Sequence, residues 1–177
     1  APTGTFEAFQ AQAGLRFNAL LTQNTDKHES INIVKSDIKS PYQFAWFIEN
    51  KTTFPARHIR LKSNAPYETQ IQFFGCGIQV PVYRYINAIF STYWAYDGDV
   101  GVYAEGNFGV LVHRPVYDRI GIGIEVFLGA AGGGGIQVGK GLIHQETVVV
   151  TYQLNHTTDI ITKWGRQGSF SQEGFQG

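Results

Sequence analysis

The sequence predicts an all-β chain of about eight long antiparallel strands closed into an up-and-down β-barrel, and three observations carry that reading. Apolar and polar residues alternate with period two over most of the chain, beginning with Phe9, Ala11, Ala13, Leu15, Phe17, Ala19 and Leu21 against Gln10, Gln12, Gly14, Arg16 and Asn18. Successive strand side chains point to opposite faces, so each such run is amphipathic. Several runs reach roughly ten residues, longer than the five or six of an ordinary strand. The face opposite the apolar stripe interleaves Gly14, Gly101, Gly109, Gly121 and Gly123 with Arg16, Glu49, Arg60, Lys62, Glu105, Arg119 and Glu125. Glycine on an open strand face loses entropy and packs against nothing, whereas in a narrow interior it makes room for long neighbours.

The elements follow in order. The first run also fits a helical period through Phe6, Phe9, Ala13, Phe17, Leu20 and Leu21, but Gly14 and Asn18 are poor helix formers and favour the strand. Residues 22–41 form a polar connection with a short strand at Ile31–Val34. Tyr42–Glu49 alternates again, Lys51–Pro55 reads as a turn, and His58–Lys62 completes a hairpin. Glu68–Phe74 runs into Gly75-Cys76-Gly77, and a further strand, Tyr83–Tyr96, starts beyond Pro81, a residue that marks strand boundaries or edges. Asp97-Gly98 is a hairpin turn leading to the run Val100–Val112, which ends at His113-Arg114-Pro115. Ile120–Leu128 precedes a Gly129–Gly135 turn, and Thr147–Asn155 is the last clear run. The chain therefore divides into a single all-β domain over 1–164 and a Gly/Gln/Ser-rich tail over 165–177.

Composition narrows the partners. The length of 177 residues fits one domain, and 14 basic against 14 acidic residues leave no cationic surplus for nucleic acid. A lone Cys76 excludes an internal disulfide and cysteine-based zinc sites. No apolar stretch of about 18 residues predicts a spanning helix, a test to which spanning strands are blind. The start Ala1-Pro2-Thr3, with no methionine in the chain, fits an exported protein trimmed of its leader or simple removal of an initiator methionine, of which export is the expectation here.

Apolar residues facing lipid and Arg/Glu pairs facing inward would make this a small outer-membrane-type barrel, structural or lipid-interacting, with interfacial aromatics at Phe9, Tyr42, Tyr93, Trp94, Tyr96 and Tyr117. Its partners would be lipid or copies of itself. The alternative is a soluble eight-stranded jelly roll or β-sandwich, a virion or extracellular assembly subunit whose core uses the same apolar faces.

Motifs add little chemistry. Gly134-x4-Gly139-Lys140 mimics a phosphate loop, but Gly141 stands where magnesium needs a hydroxyl. Asp97-Gly98-Asp99 lacks the spacing of a calcium loop, and the five histidines form no metal-binding pair, although His144 and Glu146 share one strand face. No metal or cofactor is expected. Asn155-His156-Thr157-Thr158-Asp159 is similar to the His-x-Ser-Asn signature of outer-membrane lipid A deacylases, and the texture of Val102–Gly109 and Gly121–Glu125 resembles their barrel strands. That resemblance implies an esterase alternative with His156 as base, Thr158 as nucleophile and Glu173 orienting the histidine. Thr stands where the family has Ser, and Asp159 where it has Asn.

Overall fold

The computed structural model describes residues 7–20, 42–55, 66–136, 138 and 141–170. These residues form eight strands: β1 (Glu7–Leu20), β2 (Tyr42–Pro55), β3 (Ile71–Tyr83), β4 (Ile86–Asp97), β5 (Tyr103–Tyr117), β6 (Ile120–Gly133), β7 (Leu142–Gln153) and β8 (Thr158–Ser169). Each pairs antiparallel with its sequence neighbour, and β1 also pairs with β8, so the sheet is a closed barrel in simple up-and-down order. The two stacked layers of the sandwich alternative do not form. Closure leaves no sheet edge, so every strand finds backbone partners on both sides.

The pairing register sets the shape. A path perpendicular to the strands runs from Glu7 to Gly168, His144, Leu128, Phe108, Phe90, Ile78, Trp46 and back to β1 at Phe17. One circuit therefore climbs ten residues along β1. With about 3.3 Å per residue and 4.8 Å between strands, that stagger requires a tilt of about 41° and a radius of about 8 Å. An interior of that width is just filled by side chains.

Glu7 and Ser169 lie at one end, called here the terminal end, and the two-residue turns Arg84-Tyr85 and Asp118-Arg119 lie at the other, the mouth. At the terminal end, Tyr67, Val100, Ile136 and Val138 from the connections pack against Ala8, Ile71, Phe73, Tyr103, Ala131 and Ile143 and close the barrel. The Tyr67 hydroxyl donates to the Gly98 carbonyl. Burial, with Asp99 and Asp97 nearby, pushes this phenol up to about 12, so it stays a donor. Gly98 has φ 117° and Asp99 φ 55°, the left-handed backbone that the predicted Asp97-Gly98 turn requires.

Several boundaries differ from the sequence reading. Lys51–Pro55 continues β2 instead of turning, and Gly75-Cys76-Gly77 and Pro81 lie within β3. Pro81 and Pro115 both adjoin register shifts near the mouth, where a missing N–H is tolerated. β6 runs through the glycine-rich segment to Gly133, and β8 occupies 158–169, so five residues assigned to the tail belong to the closing strand. Residues 22–41 and 58–62, with their expected strands and with Arg60 and Lys62, lie outside the described residues.

Candidate functional site

Three surfaces could carry function: the outer belt, the sealed interior and the mouth. The outer belt is where the alternation leads. Ile120, Ile122 and Ile124 are 41%, 46% and 58% exposed, and they continue around the barrel into Val110, Phe90, Ile78, Trp46, Ile160 and Val148. Aromatic residues border the belt, with Phe9, Phe54, Trp94 and Tyr96 towards the terminal end and Phe44, Trp46, Tyr83, Tyr117 and Tyr152 towards the mouth. At the derived tilt the two groups stand roughly 25 Å apart. Of the expected interfacial aromatics, Tyr93 is instead buried inside. Three outward polar pairs lie in the terminal-side third: Asn50 Nδ2 donates to Tyr96 Oη (2.6 Å), Thr52 Oγ1 to Gln72 Oε1 (2.8 Å), and Arg166 Nη2 to Glu146 Oε2 (2.8 Å).

The interior is layered. Above the terminal plug lies a buried polar network spanning the lumen. Lys51 on β2 pairs with Glu105 on β5, while Lys163 on β8 lies 3.0 Å from Glu49 on β2 and 3.2 Å from Glu125 on β6. Gln145 and Gln167 donate amide hydrogens to Glu105, Thr147 donates to Glu125, and the Tyr93 hydroxyl donates to Glu49. The ammonium groups also face aromatic rings, with Lys51 Nζ 4.2 Å from the Tyr93 centroid and Lys163 Nζ 4.8 Å from that of Phe47. A Cβ at Gly75 would stand 2.2 Å from the Tyr93 ring, so a glycine is needed there to seat the tyrosine. Above this network Phe47, Ile89, Leu111, Phe127, Val149 and Ile161 form an apolar layer across the lumen. Each end of the charged network is thus capped by apolar side chains, and no open channel runs through the described barrel.

Inward charge was legible only in part. Arg16, Glu49, Glu105 and Glu125 do point inward, but Arg119 is exposed in the β5–β6 turn, and the lysines that pair the glutamates are Lys51 and Lys163. The signal for Lys51 was its parity with Glu49, two residues before it on the same face.

Above the apolar layer the barrel opens into a cavity of about 640 Å³. Its floor is held by two polar pairs. Arg16 Nε and Nη2 donate to Asp159 Oδ2 at 2.9 and 2.7 Å, Asn18 Nδ2 donates to the same oxygen at 3.0 Å, and Arg16 Nη1 donates to Gln79 Oε1 at 3.3 Å. His113 Nε2 and Thr151 Oγ1 are hydrogen-bonded at 2.9 Å. A Cβ at Gly121 would lie 2.2 Å from His113 Nε2 and 2.7 Å from Thr151 Oγ1, so Gly121 makes room for that pair.

The esterase candidates lie at and beyond the β7–β8 turn. His156 is exposed in the β7–β8 turn, Thr158 opens β8, and Glu173 lies outside the described residues. The fold also joins a histidine to a hydroxyl at His113–Thr151, a pair that sequence spacing could not reveal because the two lie 38 residues apart on β5 and β7. His144 and Glu146 both point outward, and the described residues contain no group of three metal-binding side chains.

No protein-family model, curated protein or solved structure matches this chain. The class is therefore set by the fold itself: a closed, eight-stranded, antiparallel β-barrel.

Proposed function

We propose that this protein is an integral membrane barrel of the outer-membrane type, exported to its bilayer, with a sealed interior and a lipid-facing belt. The belt carries the proposal: a continuous apolar ring bordered by aromatics suits a hydrocarbon layer with two interfaces. The pairing of Asn50 with Tyr96, Thr52 with Gln72 and Arg166 with Glu146 suits a setting where water is scarce. No described helix is long and apolar enough to cross a membrane, but a barrel crosses with strands. The sealed lumen favours a structural or lipid-interacting role over bulk diffusion.

All three tryptophans, Trp46, Trp94 and Trp164, point outward, so the protein carries its own probes. Refolded into vesicles of brominated phosphatidylcholine, its fluorescence is expected to be quenched, most strongly at Trp164 by deep bromines. Folded protein should also migrate faster than boiled protein in gels and need detergent to stay in solution. A protein that sediments without detergent as a defined complex, its tryptophans unquenched, belongs to the second reading, in which copies of the chain cover the belt.

A further inference from the structure

We infer that the mouth cavity is a binding site for an uncharged, hydroxyl-rich ligand of the saccharide type, of di- or trisaccharide size. The cavity lies inside the barrel, so this inference does not depend on what covers the outer belt.

The floor excludes other ligand classes first. The charges of the floor, Arg16 and Asp159, are spent on each other, and the other charges lining the cavity, Arg84, Asp118 and Arg119, are exposed in the two turns of the rim, where water and salt screen them, so the floor itself offers neither an anion nor a cation an unmatched partner. An acyl chain would bury against amides and an ion pair and leave them unsatisfied. The described residues supply no metal-binding group.

What remains is a dense set of neutral groups that both donate and accept. Asn18, Gln79, Asn87 and Gln153 line the cavity, and each carboxamide offers two N–H donors and a carbonyl. Among the described residues, none hydrogen-bonds the Asn87 or Gln153 side chain. A sugar hydroxyl is itself both donor and acceptor, which is the complement such amides need. Saccharides also present apolar C–H faces. The half-buried Tyr85 stands at the rim, with the Arg84 guanidinium 5.1 Å from its ring centroid. The volume of about 640 Å³ falls within the range of small-ligand sites and exceeds what one sugar ring fills.

A saccharide could arrive free in solution or as the headgroup of a lipid whose chains lie along the belt. The test uses the full chain folded in lauryldimethylamine oxide, a detergent without a sugar headgroup, or in plain buffer if the chain proves soluble without detergent. Lactose, maltotriose and chitotriose are titrated by calorimetry and saturation-transfer NMR, and dodecyl maltoside is doped into the micelles as a lipid-like source. Saturable binding of at least one probe is expected. It should weaken about tenfold or more in Asn87→Ala/Gln153→Ala and stay unchanged in Val112→Ala on the outer face. Binding of the maltoside alone would indicate a lipid headgroup, and binding of the free sugars a soluble ligand; either supports the site. The inference is overturned if no probe binds saturably to protein shown folded by its gel mobility. It is equally overturned if the double variant, also folded, binds as well as the parent, or if inorganic phosphate binds more tightly than every sugar.

Discussion

Lys163 holds the sealed network together from a single atom. Its ammonium lies between Glu49 and Glu125, which come from different strands. Replacing it with Met would leave two buried carboxylates facing each other, and removing one partner of a buried pair costs about 3–5 kcal/mol. Urea unfolding of Lys163→Met should show a loss of that size. Gly121→Ala tests the mouth in the same way. The added methyl meets His113 and Thr151 at once, so a loss of about 1–3 kcal/mol and a shifted His113 imidazole resonance are expected. At this scale the sequence was readable wherever parity was unbroken: Arg16, Glu49, Glu105 and Glu125 were placed inward from alternation alone. Lys51 falls in a segment that the sequence reads as a turn and the fold continues as strand. Which lysine meets which glutamate depends on the stagger between strands, and no single strand encodes that.

Strand β8 shows where period two fails. Its inner face carries Asp159, Ile161, Lys163 and Gln167, and its outer face Ile160, Thr162, Trp164 and Arg166, so apolar and polar residues fall on both sides and the alternation cancels. The mixture is required, because the inner face crosses the mouth, the apolar layer and the charged network in turn. β5 and β6 read clearly because their outer faces are almost wholly aliphatic. Residues 165–169 pair with β1 and β7, so truncation after Trp164 should abolish the fast-migrating gel form, whereas truncation after Phe170 leaves every described strand pair in place and should retain it. On β6, Ile124→Arg at the middle of the belt should cost about 2–4 kcal/mol for folding into vesicles, against about 0–1 kcal/mol for Ile120→Arg near the mouth. Equal costs at the two positions would argue against a bilayer around this strand.

For the molecule as a whole, the closed topology and the outward belt followed from strand number, strand length and the glycine-charge face, but the sealed lumen did not. Alternation marks Phe47 and Phe127 as inward, yet only the closed barrel brings them into one layer with Leu111 and Ile161. That layer predicts the protein's electrical behaviour. In planar bilayers the folded chain should show no steady ohmic steps, and porin-sized conductance would mean that the layer does not hold.

The seam between β1 and β8 has a consequence for synthesis. Arg16 and Asp159, which bond across it, are separated by 143 positions. A ribosome has therefore made strands β1 to β7 before the seam can be joined. Until then the earlier strands carry their greasy faces with no cylinder to organise them, and such non-local closure is slow and exposed to aggregation.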